Sequence, residues 1–542
     1  MSARSKRVKH LRQVLLWPLQ LMTLREGSQI QRHWEVLETE RADNPWREVA
    51  DEFTPAHGQL HERHYNELVT FLPYVQRFLY GEGGAPSPMR VFRRSDLTHV
   101  RVTTHPDATP RLLAIAHVDL YFFFDIDVVI LNVEVAADDL SLDEAQDVLY
   151  RFGRAYPAGW DENGQGVHSM AQVEWLEADG RVAMRSDASE RERFLEFAAR
   201  RHTPRIGADW SRVLYPLVQD QSGDAGAIRY RQIEYYRMPL MAFLAMDDPR
   251  ELTRNDFVRL AFVTAPGGDT QLPYASDYVV DFERRYCYDR FWEGSVEGAA
   301  RHNTRYLCCG HGLVVVGDGN WPFFVDNDTG VLGQFRHQYF LIFLIAHFHK
   351  AALLMFSDQL VHALERLEVG NPESVKRFKR TIRQRFEIFL RFTHRYWFHE
   401  ISEQAVAKAL FHLCADHLGL DSLYLEVKER IHDMDEYLDS DSLRRQANTV
   451  VRLTVVTIFG LVGTVTTGFL GMNLIAAAEE PLATKVAYTA IVLVLTLWLT
   501  LYTIVKSKRL SDFLDALSDE RLPIKAKSAA LIDVFRGRSA ER

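Results

Sequence analysis

Residues 450–473, VVRLTVVTIFGLVGTVTTGFLGMN, decide the fold that this sequence predicts. The stretch is apolar, is rich in Gly and Thr, and ends in Gly-Met-Asn. A second apolar run occupies residues 486–505, after a short loop that carries Glu479 and Glu480. Each run has the length, about 20 residues, that a helix needs to cross a hydrocarbon core of roughly 30 Å. The sequence therefore predicts two membrane-spanning helices near its C-terminal end.

The region before residue 450 predicts a long helix that runs into the first apolar stretch. Residues 420–448 contain neither Pro nor Gly, so nothing in them interrupts a helix. Joined to the apolar stretch, they predict one helix of roughly 50 residues, about 80 Å long at 1.5 Å per residue. We interpret this helix as a stalk.

Several features follow one another in a recognisable order. The stalk leads to Gly471-Met472-Asn473, then to the acidic loop, the second apolar run and a basic cluster. In this order they resemble the CorA family of divalent-cation channels, over roughly residues 421–509. Two positions differ from the family pattern. Leu470 stands where the family usually has an aromatic residue, and the loop reads AEEPL over residues 478–482.

Composition narrows the class of protein. The formal net charge of −9 over 542 residues argues against a nucleic-acid partner. Four cysteines without CxxC spacing form no disulfide framework, so most of the chain is expected in a reducing cytosol. No Walker motif, nucleophile elbow or HExxH sequence occurs. We therefore expect no enzyme activity and no organic cofactor.

The predicted fold class is an α/β (or α+β) cytosolic domain with a long helical stalk and two C-terminal transmembrane helices. Short β-rich runs, such as residues 257–263 and 313–316, mixed with helical segments indicate the layered domain. Residues 372–419 predict a long helix. The predicted regions are an N-terminal extension (1–89), the cytosolic α/β domain (90–335), a cytosolic helical region (336–420), the stalk and first span (421–475), a periplasmic loop (476–485), the second span (486–506) and a cytosolic tail (507–542).

Charge predicts the topology. Arg444, Arg445 and Arg452 lie at the start of the first apolar run, and Lys506 and Lys508 follow the second. The positive-inside rule then places both termini in the cytoplasm of a multi-pass protein in the inner membrane.

A stripe along the predicted stalk suits a cation pore. One helix cannot enclose a pore, but a ring of identical helices can. Rings of Thr can hydrogen-bond a hydrated ion, rings of Leu and Val can gate by dewetting, and rings of acids concentrate cations. Steps of one helical turn back from Gly468 meet Thr464, Leu461, Thr457, Leu453 and Val450 as the pore lining, and further back Glu436 and Asp433 as cation-attracting residues.

The end of the stripe suits a hydrated divalent cation. Mg²⁺ gives up its water reluctantly, and a ring of neutral amide oxygens can hold those waters without trapping the ion. The resemblance implies that Gly471, Met472 and Asn473 form the selectivity filter, with Asn473 contacting the hydrated ion. Glu479 and Glu480 would raise the local cation concentration at the mouth.

The sequence therefore predicts an oligomeric channel for divalent cations. The resemblance implies a homopentamer in a lipid bilayer that carries Mg²⁺, and also Co²⁺ and Ni²⁺, with Mg²⁺ as a regulatory ion as well. One alternative is a ZntB-like transporter of Zn²⁺ or another transition metal. The other is a membrane effector or regulatory protein that is gated by a ligand of its cytosolic domain.

Weaker signals favour ordinary structure. Residues 4–22 are interpreted as a helix or arm, because their apolar patch is interrupted by Pro18 and Gln20. The cluster of His412, Cys414 and Asp416 is interpreted as core packing rather than as a metal site.

Overall fold

A computed structural model gives the fold. It describes residues 6–24, 31–38, 44–49, 62–83, 85–234, 236–267, 272–293, 303–368, 371–473, 481–484, 486–488, 490–491, 494–495, 498 and 502. The chain divides into two compact units, Met1–Ile431 and His432–Arg542. All the strands given below lie in the first unit.

The described residues form fourteen strands that join into one mixed sheet. Most neighbouring strands are antiparallel, and β11 with β14 and β9 with β10 are parallel. The strands are β1 (Arg7–Leu21), β2 (Trp46–Glu48), β3 (Met89–Arg94), β4 (Leu97–Thr103), β5 (Arg111–Phe123), β6 (Ile126–Ser141), β7 (Gln172–Glu177), β8 (Val182–Arg185), β9 (Leu217–Gln219), β10 (Ile228–Gln232), β11 (Leu240–Met246), β12 (Cys287–Phe291), β13 (Thr304–Cys309) and β14 (Gly312–Asp318).

The long path through the sheet runs β12-β13-β14-β11-β1-β6-β5-β4-β7-β8. Strand β3 pairs with β5 and with β2, whereas β10 pairs with β1 and β9. The longest strands, β1, β5 and β6, therefore lie side by side in the middle of the sheet.

The position of β1 corrects the prediction of an N-terminal extension over residues 1–89. Strand β1 pairs with β6 along almost its whole length, and on its other edge with β11 and then β10. The residues that we interpreted as a helix or arm are a central strand. The sequence did not indicate this central position because the partner strands of β1 lie more than 100 residues further along the chain.

Pro18 is tolerated in β1 because of a gap between two partner strands. On one edge β1 pairs with β11 up to Leu15 and with β10 from Leu19. Leu16 donates its N–H to Pro239 O on that edge, and nitrogens two residues apart point the same way in a strand. The nitrogen of Pro18 therefore faces the gap, where no ladder hydrogen bond is lost.

The helices fall between and after the strands. They are α1 (Trp34–Glu38), α2 (Glu62–Thr70), α3 (Pro73–Tyr80), α4 (Leu142–Arg151), α5 (Arg191–Arg201), α6 (Ala208–Leu214), α7 (Arg254–Phe262), α8 (Phe282–Tyr286), α9 (Pro322–Val325), α10 (Val331–Gln334), α11 (Phe340–Glu365), α12 (Pro372–Arg395), α13 (Ala405–Leu418) and α14 (Leu420–Asn473). A single π-helical turn, Phe335–Tyr339, joins α10 to α11.

Helices cover both faces of the sheet. On one face Trp17 of β1 packs edge-to-face on Trp210 of α6, with ring centroids 6.1 Å apart, and α4 and α7 share the same apolar core. On the other face Phe348 of α11 stacks on Phe123 of β5 at 3.9 Å. Helices α12 and α13 pack on α11 from outside.

Two predicted elements take other forms. Residues 257–263, predicted as a strand, lie mainly in α7, which begins with a capping box formed by Thr253 and Asp256. Residues 372–419, predicted as one long helix, are broken between α12 and α13. The apolar residues of α7 are buried almost all round, so their pattern does not distinguish a strand from a helix.

The predicted fold class is wrong about the two C-terminal membrane-spanning helices. In the part of the chain that the structure describes, one helix is long and apolar enough to cross a membrane, and it is Val331–Glu365. Its most apolar window is 83% buried inside the protein, as in a core helix. Near the C-terminal end, the apolar helix of the described residues is the shorter Thr449–Leu461. In the described residues, Thr449–Leu461 is shorter than the roughly 20 residues that a helix needs to cross a bilayer.

Candidate functional site

Helix α14 carries the residues that the sequence singles out. Gly419 ends α13 in the left-handed conformation, with φ of 64°, and α14 starts at the next residue. It continues for 54 residues to Asn473. The prediction of one continuous helix into the Gly-Met-Asn sequence is confirmed, and its local cause is the absence of Pro.

The predicted pore lining lies on the exposed side of α14. Val450, Leu453 and Leu461 are 62–67% exposed, although they are large and apolar. Thr457, Thr464 and Gly468 are exposed as well. The structure therefore places all six residues on one open face of the helix.

The opposite side of α14 is covered. Val455 is 3% exposed, and Val451, Phe459, Gly463 and Thr467, which precede and follow it at steps of four, are half-buried. Steps of four return to the same side of a helix. The segment thus has one covered row and one open row, and the predicted lining is the open row.

The threonines of this segment are hydrogen-bonded within the helix. Thr454, Thr457 and Thr464 each donate the hydroxyl to the carbonyl four residues earlier, at 2.8–2.9 Å. A hydroxyl that has given its hydrogen to the backbone keeps its oxygen lone pairs available. On the open row, Thr457 and Thr464 therefore present acceptors to a cation or to its water shell.

Two of the predicted acidic residues lie on the same helix. Asp433 and Glu436 are exposed, three residues apart in α14. The other two, Glu479 and Glu480, lie outside the described residues. The acidic end of the stripe is therefore at the start of the second unit.

The predicted filter occupies the last positions of α14. The backbone of Gly471, Met472 and Asn473 is helical, and their side chains lie outside the described part of the chain. The filter expected from the resemblance thus coincides with the end of the helix that carries the predicted lining.

Metal sites elsewhere find little support. Within the described ranges, no group of three or more His, Cys, Asp or Glu residues is placed to hold a metal ion. In the cluster around Cys414, His412 Nε2 lies 3.3 Å from Glu400, and His417 Nε2 lies 2.7 Å from the carbonyl of Arg285. Cys414 itself is buried. These side chains are engaged separately and do not converge.

The sheet also carries a group of buried polar residues that were not predicted from the sequence. Asp119 on β5 and Asn132 and Glu134 on β6 are 1–4% exposed. The available signal was the pattern HVD at 117–119 and NVE at 132–134, polar at every second position within apolar strands.

Family models, curated proteins and solved structures were compared with this chain, and none of them matches it.

Proposed function

We propose that this chain forms an oligomeric passage for divalent cations, with Mg²⁺ as the main ion and α14 as the lining helix. The observation that carries the proposal is the open row of α14. It combines exposed apolar residues with threonine oxygens that can accept hydrogen bonds, and it leads to the Gly-Met-Asn sequence.

The exposed apolar residues support assembly in an apolar environment. Besides the open row, seven further large apolar side chains of the second unit are 58–78% exposed: Leu482, Val486, Tyr488, Ile491, Val494, Leu495 and Trp498. So many exposed apolar residues in one short region are typical of surfaces that lipid or other subunits cover. We infer contact with the inner membrane and with further copies of the chain.

A ring of several α14 helices would bring the remaining predicted residues together around one passage. Several copies of α14, arranged around one axis with the open rows inward, would enclose a passage. The order along it would be exposed carboxylates at Asp433 and Glu436, alternating apolar and threonine rings, and amides at Asn473. Carboxylates concentrate cations, and neutral oxygens pass a hydrated ion without trapping it. The proposal needs one lining helix from each subunit.

The test is divalent-cation flux into proteoliposomes, with Mg²⁺, Co²⁺, Ni²⁺ and Zn²⁺ offered singly and in competition. We expect Mg²⁺ to enter, and Asn473→Ala to lose the flux or its ion selectivity. Thr457→Val should lower the flux by about tenfold, the equivalent of roughly one hydrogen bond of transition-state stabilisation.

Thr467→Val is the matched control, because Thr467 also donates to the carbonyl four residues earlier but lies on the covered row. It should keep the wild-type flux. A Zn²⁺ preference would replace the proposed ion with a transition metal. Absence of flux for every ion, in protein shown to be folded and oligomeric, would contradict the proposal.

A further inference from the structure

Helix α12 is strongly basic on the side that faces solvent. Its 24 residues contain eight lysines and arginines but only two acids, Glu373 and Glu387. Its apolar side chains, among them Phe378, Ile382 and Phe392, are buried in the first unit. The helix is therefore amphipathic, with an apolar packing side and a basic outer side.

Two arginines at the C-terminal end of α12 serve the fold. Arg395 lies 2.7 Å and Arg391 3.7 Å from the carboxylate oxygens of Asp125. Asp125 is buried, and a buried carboxylate costs free energy unless a cation accompanies it. These two arginines therefore stabilise the first unit and are already engaged.

Four cations in the first half of α12 are placed differently. Lys376, Arg377, Arg380 and Arg383 are all exposed, and no carboxylate among the described residues pairs with any of them. Steps of three or four residues connect them, so they lie on neighbouring turns, where like charges repel one another. This basic row costs helix stability unless an anion lies over it.

Helix α5 shows how a helix of this protein carries arginines toward water. Its arginines alternate with acids along the helix surface. Arg193 pairs with Glu190 and Arg200 pairs with Glu196, both at 2.6 Å. Interspersed charges of both signs are usual on a solvated surface, and the basic row of α12 lacks the acids that such a surface has.

Contacts of α12 show which end of the first unit carries the basic row. Trp397, just after α12, stacks on Tyr424 of α14 at 4.7 Å. Earlier in α12, Phe389 packs on the α11 residue that precedes Ser357, and Ser357 accepts a hydrogen bond from Arg430 of α14. Helix α12 and the first turns of α14 thus run in opposite directions. The basic row therefore lies toward the end of the first unit at which α14 leaves it.

An anionic membrane surface suits this row. The cytoplasmic leaflet carries anionic lipids, and four or more lysines and arginines on an amphipathic helix are typical of surfaces that bind their headgroups. The net charge of −9 disfavours a nucleic acid, because a long polyanion would meet the acidic remainder of the chain. In the proposed function, the chain enters the membrane after α14 has left the first unit.

We propose that Lys376, Arg377, Arg380 and Arg383 bind the headgroups of anionic phospholipids at the surface of the membrane that holds the chain. This inference rests on the membrane contact of the proposed function, but it does not depend on ion transport.

The test is native mass spectrometry of the full chain in a nonionic detergent, titrated with dioleoylphosphatidylglycerol or with the zwitterionic dioleoylphosphatidylcholine. We expect the anionic lipid to bind at least about tenfold more tightly, and this preference to fall as salt is raised. A variant that combines Lys376→Gln, Arg377→Gln, Arg380→Gln and Arg383→Gln should lose most of the preference.

The matched control replaces the four arginines of α5 with glutamine: Arg191→Gln, Arg193→Gln, Arg200→Gln and Arg201→Gln. It removes the same number of positive charges from an exposed helix of the first unit and should keep the wild-type preference. Circular dichroism checks that both variants fold. If the fourfold variant of α12 does not fold, the pair Arg380→Gln and Arg383→Gln decides.

Three results would overturn the inference. The two lipids would bind equally well, the α5 control would lose the preference as fully as the α12 variant, or an RNA oligonucleotide would bind more tightly than the anionic lipid and lose that binding in the α12 variant.

Ion flux into proteoliposomes, measured separately, distinguishes this inference from the proposed function. A chain that prefers the anionic lipid but carries no ion supports the inference and contradicts transport. A chain that carries Mg²⁺ but binds both lipids equally contradicts the inference and leaves transport standing.

Discussion

His349 shows how the core accommodates a titratable side chain. Its ring is fully buried in α11, and Nε2 lies 2.5 Å from the carbonyl oxygen of Tyr396, so this nitrogen carries the hydrogen. Burial lowers the pKa of His349 to about 3, although the bond to Tyr396 opposes the shift. The folded protein therefore holds this ring neutral at pH values where an exposed histidine is charged.

Acid is expected to destabilise the first unit through this residue. The pKa is lower in the folded state than its ordinary value of 6.5, so below pH 6.5 the unfolded chain binds a proton that the fold excludes. The stability that His349 contributes is thus present above pH 6.5 and falls toward pH 3, by up to about 1.4 kcal/mol per pH unit. His349→Gln keeps an N–H for Tyr396 and should flatten urea-unfolding free energies measured between pH 7 and 4.

His394→Gln is the control, because His394 lies exposed on α12. It should leave the wild-type pH dependence unchanged. Equal slopes for both variants would show that His349 does not carry the effect. His311 would still contribute, because burial lowers its pKa to about 3 as well.

Helix α14 is organised by its two rows. The covered row contains Val455, and the open row contains Leu461. A helix that packs on the rest of the protein with one side is expected to carry polar residues on its other side, yet the open row of α14 is largely apolar. We expect the open row to face the axis of the proposed ring.

Cross-linking tests this arrangement. Leu461→Cys should join neighbouring subunits rapidly under a short bis-maleimide, because open rows face one another around the axis of the proposed ring. Val455→Cys should react slowly. The readout is the ladder of cross-linked species on a denaturing gel.

The wild-type chain measures the background in that experiment, since three of its four cysteines, Cys308, Cys309 and Cys414, are buried and Cys287 is half-buried. Faster cross-linking at Val455 than at Leu461 would reverse the assignment of the lining row.

The first unit as a whole depends on β1. This strand joins β6 to β11, and its side chains enter the cores on both sheet faces. Its removal would expose two long strand edges and both cores.

Deletion of residues 1–21 is therefore expected to abolish cooperative unfolding of the first unit, as followed by circular dichroism. Deletion of residues 1–5 alone leaves β1 intact and should leave the unfolding midpoint near that of the wild type. A stable, cooperative fold without residues 1–21 would mean that β1 is an accessory strand.

The sequence by itself determined the elements that depend on local pattern. Residues 420–473 read as one helix because no proline interrupts them, and the structure confirms α14. The predicted lining followed from helical periodicity alone, and its six residues do share one face. Strands such as β14 followed from short β-branched runs between turns.

Only the tertiary structure decided the features that depend on distant partners. Strand β1 lies in the middle of the sheet because β6 and β11 flank it. Nothing within residues 7–21 indicates that these strands are its partners. The buried polar residues Asp119 and Asn132 come together only once β5 and β6 are paired. In each case the deciding contact joins residues far apart in the chain, whereas periodicity and hydropathy report only on neighbours.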